Sequence, residues 1–169
     1  MSKIFLIGMP GCGKSTIAKE LATLLKYTFL DFDLEIEQQE GATIAAIFSI
    51  KGEKYFRQIE AQLLTQVAKK AKDLVVSTGG GTPCYYKGLE LMNSTGTTIF
   101  IDINPELLIN RLKSDMKRPL LKERVKENIR NLYDDRIGVY SKADIKIKAD
   151  NISIADLIKR IVEELELKP

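Results

Sequence analysis

The sequence predicts an α/β fold of three layers, a five-stranded parallel sheet with helices covering both faces. Two observations predict it. Five apolar runs of strand length alternate with longer segments of helical periodicity, and a glycine-rich loop joins the first run to the first helical segment. A chain of 169 residues with 44% hydrophobic content can bury one core and is too short for two ordinary domains. One domain over residues 1–169 is therefore expected.

Strands are expected at Ile4–Ile7, Thr28–Asp31, Leu74–Ser77, Thr98–Ile101 and Ile145–Ile147, each a short β-branched or aromatic run. Helices are expected at Lys14–Lys26, Lys54–Lys70, Pro105–Lys113, Arg124–Tyr140 and Ile154–Leu165. Asn104 before Pro105 reads as a cap and first turn, and Gly41 and Gly52 read as helix stops. In the last helix, Ile154, Leu157, Ile158, Ile161 and Leu165 form a core stripe. The segment Ser114–Glu123 is charged, interrupted by Pro119 and set between two helices, so a mobile loop is expected there. No repeat, low-complexity tract or linker is visible.

Composition excludes several functions. The net charge of +3 arises from 26 basic and 23 acidic residues spread along the chain, unlike the basic stripe of a nucleic-acid binder. There is no histidine, which leaves acid–base chemistry to carboxylates, lysines or the substrate. Cys12 and Cys84 lack the spacing of a metal site or disulfide framework and suit a reducing compartment. The apolar stretch after Lys3 is too short for a signal peptide or membrane span, so a cytoplasmic protein without a membrane partner is expected.

The strongest motif is Gly-Met-Pro-Gly-Cys-Gly-Lys-Ser-Thr over Gly8–Thr16, directly after a predicted strand and opening a predicted helix. Backbone N–H groups must turn around phosphate oxygens there, and Gly8, Gly11 and Gly13 keep side chains out of the way. Lys14 supplies charge to the β and γ phosphates, and Ser15 offers a hydroxyl to Mg²⁺. The ATP-binding loop is thus Gly11, Cys12, Gly13, Lys14, Ser15 and Thr16. Cys12 is a small loop residue with no histidine to activate its thiol.

A phosphate-binding loop serves kinases, GTPases, motors and switches alike, so other residues must decide. Asp31-Phe32-Asp33 follows the second strand, where alternation along an extended backbone would send both carboxylates to one side at the phosphate end of the sheet. Phe56-Arg57 lies early in a helix, Gly79-Gly80-Gly81 follows the third strand, Arg118-Pro119-Leu120-Leu121 occupies the charged loop, and Arg136 precedes Tyr140 by four. Each has a plain reading too. The aspartates could cap the next helix, Arg57 could pair with Glu53 or Glu60, and Arg136 could sit on a surface beside Asp134 and Asp135. Arg111 could serve a helix dipole, and Tyr85 and Tyr86 could simply pack.

In this order and spacing, over nearly the whole chain, these motifs closely resemble shikimate kinase. The resemblance implies a nucleoside monophosphate kinase-like fold with a lid at about 112–124, acting as a cytoplasmic monomer in chorismate and aromatic amino acid biosynthesis. It implies that Ser15 and Asp31 hold Mg²⁺, and that Asp33 contacts the shikimate hydroxyls and accepts the proton. Lys14, Asp33 and Arg118 would form the catalytic set. Arg57, Arg136 and the backbone of Gly79, Gly80 and Gly81 would bind the shikimate carboxylate and ring, while Arg111 would lie against adenine. ATP and shikimate are then the expected partners. The alternatives are another small-molecule kinase, acting on gluconate or a nucleoside monophosphate, and a non-catalytic ATP-dependent switch.

Overall fold

The computed structural model describes residues 2–114 and 119–167. Its strands are β1 (Lys3–Ile7), β2 (Thr28–Asp31), β3 (Leu74–Ser77), β4 (Thr97–Asp102) and β5 (Ile145–Lys148), all parallel in the order β2-β3-β1-β4-β5. Every residue of β1 and β3 is buried, whereas β5 at one edge alternates buried and exposed. Covered central strands read as unbroken apolar runs, and an edge strand shows its period of two.

Among the described residues seven α-helices cover the sheet: α1 (Lys14–Leu25), α2 (Phe32–Glu40), α3 (Ile44–Lys69), α4 (Gly88–Thr95), α5 (Pro105–Ser114), α6 (Pro119–Tyr140) and α7 (Ile154–Leu167). They form the outer two layers of the predicted α/β/α arrangement, with α1 packed on β2, β3 and α7, and α4 packed on β4 and α3. In α7, Leu157, Ile158 and Ile161 reach the core as expected, but Ile154 is exposed.

Several boundaries differ from expectation, each for a local reason. The helix α2 was not foreseen, because Phe32–Glu40 is mostly acidic and polar and buries only Phe32 and Ile36. It starts where it does because the Asp31 carboxylate accepts from the amides of Asp33 and Leu34. The helix α3 begins at Ile44, well before Lys54, with Thr43 as cap. Gly52 breaks it with a non-helical φ 80 and ψ 168, so α3 is two helical stretches joined at a kink, and the expected stop holds for the first of them. Gly41 ends α2 at φ 62 as expected. The helix α4 follows two non-glycine residues at positive φ, Tyr86 and Lys87, which no sequence pattern announces.

The loop expected over Ser114–Glu123 is helical at both of its described ends. The helix α5 runs to Ser114 and α6 starts at Pro119, since a missing N–H costs nothing at a first helical position. Arg118 lies outside the described residues.

The chain leaves β1 toward β2 on one side of the sheet and leaves β3 toward β4 on the other. This divergence opens a crevice at the carboxyl ends of β1 and β3, where open parallel sheets bind ligands. The loop after β1 is the glycine-rich motif and the loop after β3 is the triple glycine, so the topology alone brings them face to face.

Candidate active site

One cavity of about 430 Å³ occupies this crevice. It gathers Gly11, Gly13, Lys14, Ser15 and Thr16 from the first loop, Asp33 from α2, Arg57 and Glu60 from α3, Gly79, Gly80 and Gly81 after β3, and Arg136 from α6. Residues distant in sequence thus share one chamber of the size that small metabolites fill.

Gly11 and Gly13 have φ of 77 and 90, a left-handed conformation that residues with a Cβ rarely adopt, and Gly13 is the residue from which α1 springs. The positive end of α1 therefore faces the chamber. Lys14 is buried, and its ammonium donates to the carbonyls of Gly8 (3.0 Å) and Met9 (2.8 Å). Among the described residues no carboxylate comes within ion-pair distance of it. A buried cation held by carbonyls and a thiol, with no carboxylate, is a site built for an anion. Cys12 turns inward at 2% exposure, with its sulfur 3.7 Å from Nζ of Lys14, and does not line the chamber.

The Ser15 hydroxyl donates to the Asp31 carboxylate at 2.5 Å and lies 3.1 Å from the hydroxyl of Ser77. Asp31 and Ser77 are register partners on β2 and β3, which is why they converge. The plain reading of Asp31 as a helix cap holds for its Oδ1, while Oδ2 faces Ser15. One carboxylate and two hydroxyls are too few for an all-protein cage, and no group of three acidic, histidine or cysteine side chains that could hold a metal occurs among the described residues. Mg²⁺ is a hard ion that keeps waters and phosphate oxygens around one or two carboxylates, so this donor set suits it. Ser77 was not singled out in the sequence.

Asp33 reaches the chamber by a different route from the one expected. It is not an extended residue two places from Asp31 but a first-turn residue of α2, directed by helix geometry. Its pKa lies above the ordinary carboxylate range because partial burial disfavours the charge, and Asp31 and Glu60 add repulsion against a smaller pull from Lys14.

Arg57 does pair with Glu53 and Glu60 as its plain reading held, but the guanidinium and Glu60 are buried and only Glu53 lies at the surface. Its Nη1 donates to Glu60 at 2.6 Å, its Nε and Nη2 to Glu53 at 3.2 and 3.1 Å, and its guanidinium lies 4.6 Å from the Tyr85 ring. Glu60 is itself 2% exposed and accepts from the Thr82 hydroxyl at 2.7 Å. An ion pair this buried gives little net stability, since desolvation offsets attraction. Its effect is to fix where the guanidinium sits. Glu60 was legible only as a partner three residues after Arg57.

Arg136 is buried while Asp134 and Asp135 beside it are exposed, so the surface reading does not describe it. Its Nη1 is buried with no hydrogen-bond partner among the described residues. The triple glycine explains how these side chains fit: a Cβ on Gly79 would come within 2.5 Å of the Glu60 carboxylate, one on Gly80 within 2.9 Å of Arg136 Nη1, and one on Gly81 would overlap the Arg57 guanidinium. The three glycines are spaces for two arginines and a glutamate. Arg111, on α5, is exposed and does not line the chamber.

A model of the family described as shikimate kinase matches residues 10–166. The chain belongs to the shikimate kinase family. The family's shikimate kinase from Aquifex aeolicus is 42% identical over 164 residues, covering 97% of this chain and 96% of that one. The shikimate kinase of Acinetobacter baumannii, solved in complex with shikimate, superposes with a TM-score of 0.89 at 34% identity, covering 98% of this chain and 93% of that one. The family member from Bacteroides thetaiotaomicron gives a TM-score of 0.88 at 34% identity over 98% and 99% of the two chains. No described helix is long and apolar enough to cross a membrane, and neither cysteine forms a disulfide.

Proposed function

We propose that this chain transfers the γ-phosphoryl group of Mg·ATP to the 3-hydroxyl of shikimate, giving shikimate 3-phosphate and ADP. One observation carries the reading: Lys14 and Arg136 are two buried cations without a carboxylate partner among the described residues, opening into one chamber from different elements. The first belongs to a phosphate loop, and the second offers a planar guanidinium to a planar carboxylate.

In this reading the first loop, the ammonium of Lys14 and the start of α1 grip the triphosphate. Mg²⁺, held by Ser15 and Asp31 with Ser77 beside them, would neutralise charge on the phosphate oxygens. Arg136 and Arg57 clamp the acceptor's carboxylate, with Arg57 aimed by Glu60 and the backbone of Gly79, Gly80 and Gly81 against the ring. The acceptor oxygen forms a bond to the γ-phosphorus as the bond to the β,γ-bridging oxygen breaks, and Asp33 receives the hydroxyl proton. The transition state is loose and the proton leaves late, so the placing of the hydroxyl by Asp33 matters more than its basicity. Arg118 as a charge-stabilising arginine, Arg111 against adenine, a lid at about 112–124, one domain over 1–169, a monomeric state and a cytoplasmic location belong to the proposal through the family resemblance.

The test is ADP release from Mg·ATP with shikimate, gluconate or a nucleoside monophosphate as acceptor. Release dependent on shikimate is expected; release with either rival acceptor but not shikimate would overturn the assignment. A finer test is Gly81→Ala. Its methyl group would displace the Arg57 guanidinium, so the KM for shikimate should rise by roughly tenfold, about the value of one charge-assisted hydrogen bond, while the KM for ATP stays put. Equal rises in both constants would mean a general distortion instead.

A further inference from the structure

Tyr140, the last residue of α6, is completely buried, with its ring 5.1 Å from that of Phe100 on β4. A buried phenol must place its proton. This hydroxyl donates to the Gly80 carbonyl at 2.6 Å and lies 3.3 Å from the Gly8 carbonyl, which also accepts from Lys14 at 3.0 Å. A carbonyl oxygen has two lone pairs, so Gly8 can accept from Lys14 and also share the phenol's one proton, as the longer arm of a bifurcated bond whose shorter arm goes to Gly80. The result is one run of polar contacts from the Lys14 ammonium through Gly8 and Tyr140 to Gly80. It joins the loop that would grip the nucleotide to the loop that would face the acceptor. Burial pushes the phenol's pKa well up against the pull of the nearby Arg136 guanidinium, so the proton stays on the oxygen across the working pH range.

Neither loop has another device of this kind joining their carbonyls among the described residues. The strands beneath hold β1 and β3 in register, and beyond their ends Pro10 lies against Gly80; that packing is not directional, and the phenol adds the directional polar contacts between the two loops. Arg136 stands one turn earlier on the same helix, so the helix end that presents the acceptor's clamp also sets the gap.

We propose that Tyr140 is a positioning residue that sets the distance between the nucleotide loop and the acceptor loop, and with it the alignment of the attacking hydroxyl on the γ-phosphorus. The inference rests on the phosphoryl-transfer reading above. Each loop has its own ligand contacts, which do not need the phenol oxygen. Their mutual registration does.

The experiment is Tyr140→Phe, which keeps the ring and its contact with Phe100. Steady-state constants are measured alongside the separate dissociation constants of Mg·ADP and shikimate by calorimetry. The expected result is a kcat about tenfold or more lower, in keeping with the steep cost of small misalignments, with both binary dissociation constants within about threefold of the parent, a change small beside that loss. The control Phe100→Leu weakens the ring contact but keeps the hydroxyl, and should lower the melting temperature with kcat near that of the parent. An unchanged kcat in Tyr140→Phe, binary affinities falling in step with kcat, an equal kcat loss in Phe100→Leu, or a Tyr140→Phe chain that does not fold would each overturn the inference. A parent enzyme inactive on shikimate would overturn the functional reading as well, whereas an active parent with an equally active variant sinks this inference alone.

Discussion

Asp33→Asn is expected to lower kcat by about two to four orders of magnitude, the usual span for losing a positioned acid–base group, while nucleotide affinity is kept. The asparagine is isosteric, but its amide puts an N–H donor where the carboxylate offered only acceptors, so it neither orients the acceptor hydroxyl in the same way nor takes the proton. Nucleotide binding rests on Lys14, the first loop and the start of α1, none of which hydrogen-bonds to the Asp33 side chain. The pKa of Asp33 is raised by partial burial and by its acidic neighbours. The carboxylate form does the work, so the acid limb of kcat/KM should lie above the ordinary aspartate range and should vanish from the residual activity of the variant. Stability moves the other way. Where the native pKa is raised, the folded state binds more protons than the unfolded state between the two pKa values, so stability falls as pH rises through that window. At neutral pH an ionised Asp33 costs stability, and the asparagine variant should melt at or above the parent temperature. Turnover close to that of the parent would remove Asp33 from the chemistry, and a lower melting temperature would contradict the electrostatic picture.

The layout of the sheet was legible because its signal is redundant. All five strands were found to within one residue at each end, since buried runs such as Leu74–Ser77 carry the same message at every position. Elements that carry little hydrophobic stripe were not legible. The polar helix α2 and the short α4 are fixed by a side-chain cap at Asp31 and by left-handed backbone at Tyr86 and Lys87, which are properties of conformation. The site shows the same division. Motif residues such as Lys14 and Ser15 were visible because their spacing is local. Glu60, Ser77 and the bridging hydroxyl of Tyr140 enter only through the folded arrangement, where Arg57, Ser15 and two distant carbonyls come to them. For Arg57, the plain reading and the functional one describe one arrangement, because the pairing with Glu60 is what aims the guanidinium.

Arg136→Ala should raise the KM for shikimate by about thirtyfold or more, equivalent to roughly 2 kcal/mol or above, the cost of removing one member of a buried charge pair. The variant is informative because Arg136 has no ion-pair partner within the described protein and its Nη1 makes no hydrogen bond there. Removing it strips no carboxylate of its cation, and the Tyr140 hydroxyl beside it keeps the Gly80 carbonyl as partner, so the melting temperature should hold or rise. Arg57 cannot be tested so cleanly. Its removal would leave Glu60 buried at 2% exposure without its cation, a loss of about 3–5 kcal/mol that would confound binding with folding. Arg136→Lys should restore little, because a single ammonium cannot reproduce the fork that meets both carboxylate oxygens. A shikimate analogue lacking the carboxylate separates the remaining possibilities: the parent should bind it poorly, and Arg136→Ala should bind it no worse than the parent does. If the KM for shikimate were unchanged in Arg136→Ala, the guanidinium would not touch the acceptor, and the glycine at position 80 that makes room for it would need another explanation.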